Sequence, residues 1–285
     1  MLQRYIAGNN MFAMLKFIKN IKHKTCIINY IKENEDSNYE NNSANLEIYK
    51  EYNNLINNVS QFNISNNTNH QLAVKLSSLN FDNNLINKLV EQCKIKNIKL
   101  IIDAECNKNI DNYRTIVNNL IFTNNNDKIN IVKTYQMYRK DSYNELLDDI
   151  KTMNANNKLL SSKLVRGAYW NSEYKDNHLF TNKQDTDNNY NDSLILVNKC
   201  DIKYNIIATH NKESILIANA LFANYKQFNN YSIAHLLGMN EYYMNNSKNN
   251  MPQSVYIPYG PYKEAIPYMM RRLYENMDSF KYLFK

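Results

Sequence analysis

The stretch Ile129-Asn130-Ile131-Val132-Lys133-Thr134-Tyr135, then Ser142–Met153, then Ser162-Lys163-Leu164-Val165-Arg166, decides the fold. The outer two pieces are short and rich in Ile, Val and Leu, as strands covered on both faces are. The middle piece spaces its apolar residues at helical intervals. Strand, helix, strand is a parallel unit. The same alternation runs outward in both directions. Gln3–Ala7, Thr25–Tyr30, Leu72–Ser77, Ile98–Asp103, Ile206–Thr209 and Ser232–Leu236 read as further strands. Met11–Lys22, Leu85–Lys96, Asn112–Phe122 and Lys212–Tyr225 read as helices. Eight strands alternating with helices predict one TIM-like (βα)8 barrel over the 285 residues. A doubly wound sheet would advertise a Gly-rich turn after its first strand, and the sequence has no GxGxxG. Val255–Tyr259 reads as an extra extended segment before a last helix near Pro267–Met277, with Pro267 at its first position.

Composition narrows the function. The net charge is +7, yet the sequence shows no Lys/Arg cluster and no nucleic-acid motif, so a generally basic surface is expected and no nucleic-acid partner. The Asn-rich stretches read as solvated loops. Cys26, Cys93, Cys106 and Cys200 lack CxxC spacing, which argues against zinc and for reduced core thiols. No metal site is expected. No apolar run is long enough to span a bilayer. The first 32 residues carry Arg4, Lys16, Lys19, Lys22, Lys24 and Lys32 with no acid before Glu33, as a mitochondrial transit peptide does. The strand–helix reading of the same segment is preferred, which leaves no clear cleavable presequence.

In such a barrel the chemistry sits at the C-terminal strand ends. Those ends read Lys75, Asp103, Gln136, Arg166 and His210. Gly167 and Ala168 after Arg166 allow a ligand close to the backbone, and Trp170 offers a flat ring to stack on. On the last helix Tyr268, Arg271 and Glu275 fall along one face with Arg272 adjacent, and an arginine pair suits a carboxylate. His210 has no Ser or Cys nucleophile near it in sequence, so no triad is built from it.

Several short motifs recur in one order. They are Val74-Lys75-Leu76-Ser77, Ile102-Asp103-Ala104-Glu105, Thr134-Tyr135-Gln136, Lys163–Trp170, Phe180-Thr181 with Lys183, Asp187 and Tyr190, and Ala208–Asn211. Leu236-Leu237-Gly238-Met239, Tyr256–Pro261 and Pro267-Tyr268 with Arg271-Arg272 and Glu275-Asn276 complete the set. Taken together, over nearly the whole chain, the sequence resembles the proline dehydrogenase family in its eukaryotic, fungal-like mitochondrial form. The resemblance implies a distorted barrel whose last helix lies over the mouth. It implies non-covalent FAD, oxidation of L-proline to 1-pyrroline-5-carboxylate, electron transfer to a ubiquinone-type acceptor, and peripheral contact with the matrix side of the inner mitochondrial membrane.

The resemblance also implies roles. Lys75, Arg271 and Arg272 would clamp the proline carboxylate, and Leu236, Tyr256 and Tyr268 would pack around its ring. Asp103 would lie near the substrate nitrogen and Lys163 at the flavin N5 edge, where bacterial relatives carry arginine. Arg166 would bind the pyrophosphate, and Glu275 would orient the arginines and touch the ribityl chain. Gln136, Val165, Gly167, Ala168, Trp170, Thr181, Lys183, Thr209, His210 and Asn211 would line the rest of the cofactor. Lys133 and His235, where relatives usually have amides, would both approach the flavin. Tyr256 argues against hydroxyproline as substrate, because hydroxyproline-oxidising relatives tend to have a smaller residue there.

Overall fold

The computed structural model describes residues 5–21, 24–31, 42–200, 202–222, 230–239 and 252–275, with 42, 43, 269 and 271–275 described by backbone alone. Helix α1 (Met11–Ile18) precedes β1 (Thr25–Tyr30). Then come α2 (Asn42–Asn66), β2 (Gln71–Val74), α3 (Asn83–Ile95), β3 (Leu100–Ile102), α4 (Ile110–Asn124) and β4 (Ile131–Gln136). α5 (Ser142–Ala155), β5 (Ser161–Val165), a short α6 (Trp170–Glu173), α7 (Lys183–Lys199) and β6 (Tyr204–Ala208) follow. α8 (Lys212–Phe222), β7 (Tyr231–Leu236), β8 (Gln253–Tyr259) and α9 (Tyr262–Glu275) complete the order. The strands pair in sequence order into a closed parallel barrel. Closure is made by β8 on β1, over six residue pairs from Thr25↔Ser254 to Tyr30↔Tyr259.

The eight-strand expectation holds with one substitution. Val255–Tyr259 is not an extra segment but lies within the eighth strand. Gln3–Ala7 is not the first. Its described part, Tyr5–Ala7, is coil beside the C-terminal end of β8, where Ala7 N–H donates to Pro258 O and Gly260 N–H to Gly8 O. An apolar run shows that a segment is buried, and its pairing partner is chosen elsewhere.

Strand alternation divides the side chains into two sets. Ile27, Ala73, Ile101, Val132, Tyr204, Ile206, Ala234 and Tyr256 form one buried cluster, with a residue from every strand except β5 and two from β6. That cluster fills the barrel. In β5 the matching place goes to Lys163, whose Cα partners are Thr134 and Ile206. The opposite faces of the strands, including Ile28, Leu72, Ile102, Leu164, Ile233 and Val255, pack against the helices. Of the four free cysteines, Cys26 and Cys93 are buried while Cys106 and Cys200 are half-buried, so the core reading holds for two of them.

Two helices depart from the sequence reading. α2 is an Asn-rich segment that composition assigns to solvated loop. Its Ile48, Tyr52, Leu55, Ile56 and Val59 are buried at helical spacing, and burial of each such side chain contributes about 1.5–3 kcal/mol. Its asparagines lie largely on the outer side and bond back along the helix, as Asn57 and Asn58 do to the carbonyls of Asn53 and Asn54. α9 starts at Tyr262, and Pro267 sits inside it. Pro261 serves at the start instead, its carbonyl accepting from Glu264 and Ala265. Ala265 and Tyr268 of α9 pack on Ile31, just past β1, and on Ile6. The last helix thus leaves β8 and turns back over the C-terminal edge of the barrel. Met277 lies outside the described residues.

Candidate active site

Asp103, directly after β3, meets inward-facing side chains from the middle of β5 and of β8. Lys163 Nζ lies 2.5 Å from its Oδ1. The Tyr256 hydroxyl donates to Oδ2. Lys163 also stands 4.7 Å from the centre of the Tyr256 ring. The three groups are buried, so the ion pair and the phenol bond act in a medium of low polarity. A carboxylate has about four lone-pair positions, so two bonds leave Asp103 able to accept a third.

Lys75 follows β2, half-buried, with its ammonium 5.3 Å from the centre of the Tyr169 ring. The loop that carries it is tied to the end of β3. Ser77 N–H, in the 3-10 turn Leu76–Leu79, donates to Glu105 at 2.9 Å. Burial pushes the Glu105 carboxyl up, against the pull of Lys75. Tyr268 is buried on α9 next to the same end of the barrel. Arg271, Arg272 and Glu275 follow three, four and seven residues later on that helix, and their side chains lie outside the described residues. Leu236 is half-buried, at the last inward position of β7.

A second group forms where β5 ends. Arg166 donates from Nε to Asp187 at 2.7 Å, from Nη1 to Thr209 at 2.6 Å and from Nη2 to Ser214 at 2.9 Å, and its guanidinium lies 4.5 Å from the Tyr190 ring centre. Lys183 reaches the other oxygen of Asp187. Burial works to raise the Asp187 carboxyl, but bonds from Lys183 and Arg166 outweigh it and hold it below the usual carboxylate range. His210 is pushed down to about 4 by burial, with Arg166 adding to the effect. Its neutral ring accepts from Leu236 N–H at Nε2, 3.2 Å away. Asn211 caps α8 through Ser214 N–H. Gly167 has φ +134°, and a Cβ there would stand 2.4 Å from the Tyr138 ring. That residue is therefore required both by the turn and by the aromatic floor beneath it. Tyr138 and Glu173 support this floor through a 3.1 Å bond. No short motif in the sequence marks the contact.

The polar groups around β4 fit a flat, polar cofactor. Thr134 Oγ1 and Gln136 Oε1 are buried without a hydrogen-bond partner among the described residues, and strand alternation turns both residues into the barrel with Val132. Of the five guanidinium N–H groups of Arg166, three are used and two remain among the described residues. Val165 and Ala168 are half-buried beside Gly167, Trp170 is 43% exposed at the start of α6, and Thr181 and Lys183 are exposed beyond it. These residues provide orphan acceptors, spare donors and a close backbone approach on one rim.

Lys133 and His235 do not join the group. Lys133 takes the outward position on β4, partnered with Ile102 and Ser162. It is fully buried between α4 and α5, where Nζ lies 2.6 Å from Asp149, 2.8 Å from Glu145 and 2.8 Å from Asn118. His235 takes the outward position on β7, beside Val255, and burial pushes it down to about 3. Both point into the helix layer. Alternation was the available signal: Val132 and Ala234, which face the barrel, are their immediate neighbours. Thr134, by the same count, faces inward and received no role from the sequence.

A parallel (βα)8 barrel with ionised and aromatic groups gathered at its C-terminal mouth is the architecture of a barrel enzyme. The family is shown by its model: residues 14–282 match the one described as Proline dehydrogenase, and the chain belongs to that family. The chain is 29% identical over 215 residues to proline dehydrogenase 1, mitochondrial, of Dictyostelium discoideum, which covers 68% of this chain and 37% of that protein. It is 32% identical over 204 residues to proline dehydrogenase 2, mitochondrial, of Arabidopsis thaliana, covering 65% and 42%. The chain thus spans less than half the length of these relatives. Among solved structures, proline utilization A (PutA) from Bdellovibrio bacteriovorus, inactivated by N-propargylglycine, superposes with a TM-score of 0.83 at 18% identity, covering 96% of this chain and 32% of that one. That likeness bears on the fold.

Proposed function

We infer that this chain oxidises L-proline to 1-pyrroline-5-carboxylate with FAD, and that electrons pass on to a quinone of the inner mitochondrial membrane. The observation that carries the reading is the convergence of Asp103, Lys163 and Tyr256 from three strands at the barrel mouth. FAD would supply the hydride acceptor, taking hydride from proline C5 at its N5. Lys163, Gln136 and Thr134 would meet its ring system, and Arg166 with its two spare donors the pyrophosphate. Glu275, Trp170, Thr181, Lys183, Thr209, His210 and Asn211 would hold the remainder.

The residues of the chain place the substrate. Lys75, Arg271 and Arg272 would fix the carboxylate, with guanidinium groups matching its two oxygens. Asp103 would accept a hydrogen bond from the ring nitrogen. Tyr256, Tyr268 and Leu236 would wall the ring and exclude water. Once the amine is neutral, orientation is the main contribution still required of the protein. The mitochondrial names of the relatives support the location.

An anaerobic absorbance spectrum tests the reading. Flavin bands that bleach with L-proline and not with 4-hydroxyproline are expected. A flavin-loaded protein whose bands persist with proline would overturn the substrate. A protein that takes up no FAD would overturn the cofactor.

A further inference from the structure

The end of the barrel opposite the mouth is basic in a way the sequence conceals. Lys99 precedes β3, Lys128 lies in the loop before β4, and Lys158 lies in the loop before β5. They are far apart in sequence. The strand register draws their loops together: Leu100 pairs with Ile131 and Lys133 with Ser162, which sets the three loops side by side on one rim. Lys24 and Lys203 precede β1 and β6 at the same end.

The partners of the three lysines are neutral. Lys128 Nζ bonds Asn97 Oδ1, and Lys158 Nζ bonds Asn126 Oδ1 at 2.6 Å. Lys99 Nζ stands 5.2 Å from the centre of the Tyr204 ring, and Lys158 Nζ 4.9 Å from that of Phe122. Among the described residues none of the three has a carboxylate in ion-pair range, although Asp127 is exposed in the same loop as Lys128. Elsewhere the chain does pair its cations with carboxylates, as at buried Lys133 and half-buried Arg166. Lys99 is held below its ordinary value by partial burial, and Lys128 adds repulsion. Lys128 is bonded to Asn97, two residues before Lys99, so two ammonium groups and an amide stand on adjoining loops, a donor set that suits an oxyanion.

We propose that Lys99 and Lys128, flanked by Lys158 and the amide of Asn97, bind a phosphate group on the N-terminal end of the barrel. A doubly charged phosphate replaces the repulsion by two attractions and fits compact ammonium donors. The site stands apart from the substrate mouth, so its occupancy acts on the fold and not on the chemistry.

The group comes either from free phosphate or from a phospholipid headgroup, and two arms separate them. The FAD-loaded chain is melted in inorganic phosphate and in chloride at equal ionic strength. At ten or more times Kd, phosphate should raise Tm by about 2–5 °C. The double variant Lys99→Met and Lys128→Met should lose that shift while keeping kcat/KM. Met keeps the apolar stem against Tyr204. Lys128→Ala alone, on an exposed loop, should lose most of it should the double variant fold poorly. In the second arm the chain is sedimented with phosphatidylcholine vesicles with and without phosphatidylglycerol. Pelleting that needs phosphatidylglycerol and vanishes in the variant assigns the headgroup as source. Equal Tm in both salts together with no vesicle binding, or effects that survive the substitutions, overturns the proposal.

Discussion

Replacing Lys133 by Met separates two accounts of that residue. The sequence resemblance sets it beside the flavin, whereas the structure puts its ammonium between two carboxylates in the helix layer. Removing one partner of a buried ion pair costs about 3–5 kcal/mol when the other is left uncompensated. Here each carboxylate keeps other donors. Asp149 retains the Tyr135 hydroxyl at 2.8 Å and the Asn118 amide at 2.9 Å, and Glu145 retains Arg114 at 2.7 Å. The expected loss is therefore about 2–4 kcal/mol, or a Tm lower by roughly 3–7 °C for a domain of this size. Urea unfolding of parent and variant measures it. A double-mutant cycle with Asp149→Asn should show strong coupling, since the second change removes the charge left stranded by the first. The FAD spectrum and KM for proline should hold. A variant of unchanged stability with an altered flavin spectrum would refute the outward placement.

Gly167→Ala should lose about 2–4 kcal/mol, because φ +134° and the Tyr138 ring both oppose a Cβ; calorimetry and FAD titration should fall together. Arg271→Lys should mainly raise KM for proline with kcat held, since an ammonium cannot reproduce a bidentate clamp, and an unchanged KM would remove the carboxylate role. Acid should destabilise the fold through its buried histidines. Burial pushes His70 down to about 4 and His235 to about 3, whereas an unfolded ring titrates near 6.5. The unfolded chain thus gains protons first, so this stability is complete above about pH 6.5 and is lost as pH falls towards 4. Between pH 6.5 and 5 each ring contributes about 2 kcal/mol to the loss. Asn at position 70 keeps an acceptor for Cys26 N–H, which lies 3.0 Å from Nδ1, and should flatten the urea midpoint against pH. A slope equal to the parent's would count against the histidine.

The sequence carried the barrel because its strands are apolar on both faces, and their runs stand out against polar loops. It did not carry which strand closes the ring, since Tyr5–Ala7 is as buried as a strand without joining the sheet. α2 was hidden by asparagine, a weak helix former, although tertiary burial of Ile48, Tyr52, Leu55 and Val59 overrides the propensity. α7 was hidden because its buried face includes Thr186, Asp187 and Ser193 among the apolar residues. Lys75, Asp103, Lys163 and Arg166 were legible as polar residues at the ends of apolar runs. Lys133 and His235 were misplaced because motif position was read without counting which face each residue takes. The lysine rim was invisible for a different reason, because it is assembled by register from loops that are distant in sequence.

Asp103 takes its partners from residues 60 and 153 positions further along the chain. In folding terms the site is a non-local contact that no early segment can make by itself. A chain that has wound seven strands already holds Lys163 against Asp103, but the phenol arrives only with β8. Competence is therefore all-or-none with ring closure: a barrel lacking its final stave holds most of its buried surface and none of its finished site. Recovery of proline-dependent flavin bleaching during refolding would then report docking of β8 on β1, later than the collapse of the rest.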